Sequence, residues 1–159
     1  MPIQPTELMR LAIEKCREGI ARGESPFGCA VAIGDRVVAV SHNRVLSATD
    51  ITAHAEISAL REACLGERRI HFPEAIVATT CEPCAMCAAA LHWARVGRVY
   101  YGASIADATA AGFNELRLAC DELLRASGSS LLVNSGLLAE ECRALFDEWK
   151  KNSPRPTTY

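Results

Sequence analysis

No run of apolar residues in this 159-residue chain approaches the roughly 18 that a membrane-crossing helix needs. Met1 to Arg10 also lacks the basic stretch followed by an apolar one that directs secretion. Charge of one sign is equally scarce, since 17 basic residues face 19 acidic ones for a net charge of −2. The electrostatic pull toward a polyanion that a nucleic-acid binder normally carries is therefore missing overall, which leaves room only for a local basic patch. No internal repeat or low-complexity segment is visible. Half of the residues are hydrophobic and 23% are charged, so residues 1–159 suit one globular domain. The expectation is a soluble, cytoplasmic protein with no membrane partner.

Eight cysteines are what the chain has in excess. Cys16, Cys29, Cys64, Cys120 and Cys142 are scattered through apolar periodic segments, where a free thiol behaves as a small hydrophobe. Cys81, Cys84 and Cys87 cluster instead. Without a secretion signal, the C-x-x-C spacing of the last two points to a metal site or a redox pair and not to a structural disulfide.

Leu8, Leu11, Ala12, Cys16 and Ile20 recur at helical spacing, which predicts an amphipathic helix over 6–22 that Gly23 ends. Two short β-like runs follow, 29–33 and 37–40, separated by Gly34-Asp35 as a hairpin turn would be. A polar loop over 41–50 leads to Thr52, read as the cap of a helix that Gly66 terminates. A buried strand over 73–80, with Ala75-Ile76-Val77-Ala78-Thr79 within it, precedes Cys81-Glu82-Pro83-Cys84, and Pro83 favours a helix opening at Cys84 and running to about Arg95. The remainder reads as strand 96–101, helix 114–127, strand 130–134 and helix 136–151, with a tail from Ser153 to Tyr159. The first two strands must be antiparallel, while later ones are joined by helices long enough for parallel crossovers. The predicted architecture is α/β: a three-layer α/β/α sandwich around a mixed five-stranded sheet.

The chemistry concentrates in two segments, Thr52-Ala53-His54-Ala55-Glu56 and Pro83-Cys84-Ala85-Met86-Cys87. One imidazole and two thiols, from His54, Cys84 and Cys87, suit tetrahedral zinc, and three protein ligands leave the fourth position for water, as in catalytic sites. Cys84 and Cys87 in the first turn of a helix lie at the positive end of its dipole, which favours the thiolates that zinc requires. His54 is expected in the first turn of its own helix. Glu56 follows it by roughly 200° around that helix, so it is expected beside the metal as a general acid and base and not as a ligand.

His-x-Glu with Pro-Cys-x-x-Cys is the signature of zinc deaminases. On these residues and on the order of helices and strands, the chain resembles the cytidine deaminase superfamily over essentially its whole length. Pro26-Phe27-Gly28, Asn43, the two motif segments, Trp93-Ala94-Arg95 and Ala111-Gly112-Phe113 are most similar to bacterial guanine deaminases. The resemblance implies one zinc per subunit and the hydrolysis of guanine to xanthine and ammonia, with Glu56 passing a proton from water to the ring nitrogen. It further implies that Asn43 reads the ring edge and that the Ala55 N–H holds the ring carbonyl. Phe27, His54 and Trp93 would line the faces of the slot, and Glu115 would accept from the ring N–H and the leaving amine. Tyr159 would cap the site, either in its own chain or swapped into that of the neighbouring subunit, and a homodimer would complete it. Ser25, where many relatives have Gly, is expected to narrow the mouth of the pocket.

Other readings remain open. Glu115 in place of the more usual Asp leaves a related amino-heterocycle as substrate: an s-triazine, cytosine or a nucleoside. Adenosine in transfer RNA is a further alternative, because that branch shares the same motifs and the Gly136 to Cys142 pattern. Against it stand the balanced charge and the few basic residues near the C-terminus, Arg143, Lys150, Lys151 and Arg155, so that a nucleic-acid partner is not expected. A catalytically silent partner subunit would typically lose the carboxylate that Glu56 retains, and a redox protein would leave His54 and Glu56 unexplained.

Overall fold

A computed structural model describes residues 1–153 and 156–159. Helix α1, Pro5–Ala21, starts with proline in its first turn and buries Leu8, Ala12, Cys16 and Ile20, one residue every four. Strands β1 (Gly28–Ile33) and β2 (Arg36–His42) form the expected antiparallel hairpin, turning at Gly34 with φ +61°. Short helix α2, Val45–Ala48, follows, then α3 (Ala55–Glu67), β3 (Ala75–Cys81), α4 (Ala85–Trp93) and β4 (Arg98–Ala103). The chain continues through α5 (Ile105–Ala111), α6 (Cys120–Ala126), β5 (Leu132–Asn134) and α7 (Ala139–Asn152).

The five strands lie in the order β2-β1-β3-β4-β5. β1 runs antiparallel to both neighbours, and β3, β4 and β5 run parallel, so the mixed sheet and its three layers are present. Alternation along β1 shows how the layers are filled. Cys29 and Val31 face a core shared with α3, α4 and α6, whereas Ala30 and Ala32 face the core built with α1 and α7. Alanines on the second face let α1 approach closely. Gly28 makes the approach possible, because a Cβ there would stand 2.1 Å from the Ala12 carbonyl oxygen. Among the described residues no helix is long and apolar enough to cross a membrane.

Several expected boundaries move, and the largest change concerns the helix expected over 114–127. Helix α5 forms earlier, fixed at its start by a capping box between Ser104 and Asp107 and ended by Gly112 at φ +112°. Residues 113–119 are not helical, because Phe113 is drawn into the core and the Asn114 N–H bonds the Tyr159 main-chain oxygen at 2.9 Å. Only from Cys120 does a helix resume.

The 41–50 loop holds α2, whose Leu46 and Ser47 N–H groups donate to the buried Glu24 carboxylate. Thr52 does not cap α3. It donates to Asp50 Oδ1, and His54 occupies the capping position. Gly66 lies inside α3, and Arg68 at φ +52° takes the left-handed position that ends it. Helix α7 starts at Ala139, after Leu138 at φ +51°.

Candidate active site

Two helix starts meet at the end of β3. His54 precedes the first residue of α3, Cys84 precedes the first residue of α4, and Cys87 lies in the first turn of α4. His54 Nδ1 is 3.6 Å from each of the sulfurs of Cys84 and Cys87. All three donor atoms lie within 4.8 Å of one another. A tetrahedral zinc with its usual bond lengths to nitrogen and sulfur sets these donors about 3.6 Å apart, so the residues fit the ion. The thiols already behave as a pair. The hydrogen bond from Cys87 pulls the Cys84 thiol down to about 4, with His54 adding to the effect, while Cys87 is pushed up because it keeps the proton. A divalent cation displaces that proton. The other six cysteines are free thiols, and Cys81 faces the Ser104 carbonyl oxygen at 3.5 Å.

Glu56 lies outside the donor set and beside it. Its carboxylate is buried, with Oε2 3.5 Å from Cys87 Sγ, and Oε1 accepts from the Thr79 hydroxyl at 3.1 Å. Burial, and then the neighbouring Cys84, push its affinity for a proton up. Ala55 is the first residue of α3 and is fully buried. Phe27 lines the inner wall, its ring edge-on to Phe113 at 5.0 Å.

Tyr159 roofs the site. Its ring lies 5.9 Å from that of His54 and 5.5 Å from that of Phe113. Asn43 is fully buried and faces the tail: its Nδ2 donates to the Tyr159 hydroxyl at 2.6 Å, and its Oδ1 accepts from the Val45 N–H at 3.0 Å. Glu115 is half-buried and lines the same pocket as His54, Cys84 and Tyr159, and burial, helped by Cys84, pushes its carboxyl up to about 7.

The inner pocket, bounded by Phe27, Glu56, Glu82, Glu115 and Tyr159, measures about 20 Å³, room for one water. A wider, mostly apolar recess of about 260 Å³ adjoins it past Ile51, Met86 and Leu116.

Trp93 does not join these residues. It ends α4 at the opposite end from Cys84, 75% exposed, beside a separate cleft with His71, His92 and Ser129. Nine residues of helix separate the two ends, which is why an aromatic that follows the motif closely in sequence lies far from it in space. Ser25 is fully buried. Residues 154 and 155 of the tail, including Arg155, lie outside the described residues.

Three positions that sequence reasoning passed over carry weight here: Thr79, Glu82 and Glu24. Each is a buried polar residue holding a group across many positions of chain, and only the apolar setting of Thr79 within β3 hinted at any of them.

The chain matches the cytidine and deoxycytidylate deaminase zinc-binding region over residues 2–103. It is 46% identical over 100 residues to a tRNA-specific adenosine deaminase of Agrobacterium fabrum, a match covering 62% of this chain and 64% of that one, just under two thirds of the relative's length. It is 37% identical over 108 residues to guanine deaminase of Bacillus subtilis, covering 67% of this chain and 69% of that protein. The solved guanine deaminase from Nitrosomonas europaea superposes with a TM-score of 0.85 at 27% identity, over 95% of this chain and 88% of that one. The matched region holds every metal donor together with Glu56, and on that ground the chain belongs to the cytidine and deoxycytidylate deaminase family, with zinc as its cofactor.

Proposed function

We propose that the protein hydrolyses a free amino-nucleobase, guanine in first place, to xanthine and ammonia. The observation that carries this reading is Glu115, a second half-buried carboxylate that lines the pocket together with His54, Cys84 and Tyr159. An acidic wall suits a ring that presents N–H donors, as the amidine edge of guanine does. Zinc supplies the Lewis acidity that makes water nucleophilic near neutral pH.

Glu56 moves the protons. Its buried carboxylate takes one from the attacking water, delivers it to the ring nitrogen beside the attacked carbon, and carries the second to the amine that leaves as ammonia. Thr79 holds Oε1, which keeps Oε2 turned toward the metal side. A ring cannot enter a pocket of about 20 Å³, so Tyr159 withdraws as substrate binds. Its departure frees the Asn43 amide for the ring edge. The Ala55 N–H, at the start of α3, takes the ring carbonyl. A second copy of the chain, covering the exposed Ile51 and Leu116 at the rim, completes the exclusion of water.

The test is ammonia and xanthine formation from guanine by zinc-loaded protein, with Glu56→Ala as the blank. Release that disappears in the blank supports the reading. An intact, zinc-loaded protein that leaves guanine untouched overturns it, and cytosine, s-triazines and nucleosides then become the substrates to compare.

A second reading, deamination of adenosine in transfer RNA, is favoured by the Agrobacterium relative. The charge on α7 weighs against it, since Glu140, Glu141, Asp147 and Glu148 face only Arg143, Lys150 and Lys151. Inosine formation in transfer RNA with a steep loss of binding as salt rises would establish it.

A further inference from the structure

Glu82 takes no part in the proton transfers, yet it borders the inner pocket together with Glu56 and Glu115. It is buried at 8% exposure, and no Lys or Arg pairs with it among the described residues. Both of its oxygens are used. Oε2 accepts from the Ile105 N–H at 2.9 Å, and Oε1 accepts from the Cys120 N–H at 2.9 Å. These are the first residues of α5 and α6, where backbone N–H groups have no partner within the helix. One carboxylate thus anchors two helix starts 15 residues apart.

Between those anchors lies the non-helical segment with Glu115. Its near end is fixed by the Phe113 ring, buried against Phe27 at 5.0 Å and Trp149 at 5.2 Å. Its far end is fixed at Cys120, by Glu82. On the other side, Glu82 is joined through Pro83 to Cys84, and its own N–H bonds the Ala103 carbonyl oxygen on β4 at 2.8 Å. The residue that links the two segments is therefore built into the strand end from which the metal-binding loop departs.

We propose that Glu82 is a positioning residue that fixes the Glu115 carboxylate relative to the metal donors, by tying the segment bearing Cys84 and Cys87 to the segment bearing Glu115. It rests on the reading of Glu115 as a substrate contact. Glu82→Gln preserves size but turns an NH₂ toward one of the two backbone N–H groups, so that one tie is lost and a buried donor is left unpaired. Glu82→Asp is one methylene shorter and cannot span both. A displacement of about 1 Å in a substrate-holding group lowers turnover by roughly 100-fold.

The experiment is a double-mutant cycle on the zinc-loaded full chain, combining Glu82→Gln with Glu115→Gln, with hydrogen exchange measured on the substrate-free proteins. We expect Glu82→Gln alone to lower kcat/KM by about 10- to 100-fold at unchanged zinc content. In the Glu115→Gln background it should cost less than about threefold, because the group it positions is already gone. Amides of Ile105, Cys120 and 113–119 should exchange faster, and those of α1 and β1 should not. Additive losses, loss of zinc in Glu82→Gln, or unchanged exchange at Ile105 and Cys120 would overturn the proposal. Glu82→Asp repeats the cycle if Glu82→Gln does not fold. Should the wild-type protein leave guanine untouched, the guanine reading fails by itself. The cycle is then run on the substrate it does deaminate, and the exchange comparison, which needs none, still decides whether Glu82 holds the segment.

Discussion

Glu56 and Thr79 form the smallest functional unit, a carboxylate whose one oxygen is held so that the other faces the Cys87 sulfur. Glu56→Gln keeps the shape and the metal donors, so zinc content should stay at one per chain while kcat falls by at least about 100-fold, measured by metal analysis beside ammonia release. Thr79→Val removes only the holding hydroxyl. A hydrogen bond to a charged group is worth about 1.5–3 kcal/mol, so kcat should drop about tenfold or more, with KM nearly unchanged if Thr79 orients Glu56 and does not touch substrate. His54, Glu56, Cys84 and Cys87 were legible in the sequence because donor type and spacing together leave few other chemistries. Thr79 was not, since a threonine inside an apolar strand looks like any other β-branched residue there until the partner 23 positions away is placed beside it.

Elements pack at distances set by small residues, and two glycines separate tight contact from open space. Gly28→Ala would force a Cβ to within 2.1 Å of the Ala12 carbonyl oxygen, so α1 must shift off β1. Denaturant unfolding should show a loss of about 1–3 kcal/mol or more. Gly66, inside α3 with nothing within 4 Å of an added Cβ, is the counterpart. Gly66→Ala should gain about 0.5–1 kcal/mol in the same measurement, because alanine gives up less backbone freedom in a helix. Helices with their own caps or a strong apolar stripe, such as α1, could be read from the sequence. The span 114–127 could not. It reads as one helix, but the start of α6 depends on Glu82 and the break before it on Tyr159, contacts spanning 38 and 45 residues.

At the scale of the whole molecule the metal couples to stability. Zinc binds only the folded arrangement of His54, Cys84 and Cys87, so at a free concentration 100 times its Kd it adds about 2.7 kcal/mol. Chelation should lower the thermal midpoint, and stoichiometric zinc, but not magnesium, should restore it. Acid should have the same effect as chelation. The Cys84 thiol at about 4 lies below its ordinary value of 9.0, so the stability it contributes is complete above about pH 9 and is lost as pH falls toward 4. Denaturant unfolding of the metal-free protein should show stability falling as pH is lowered from 8 to 4.

The donors also stand on two sides of a non-local pairing. His54 follows the β1–β2 hairpin and the cysteines follow β3, so the donors come together only where β3 pairs with β1, Cys29 opposite Thr79. Zinc therefore works as a clasp that closes last. Present from the start of refolding, it should leave the early, strand-pairing phase as slow as before and lock only chains that have already inserted β3 beside β1.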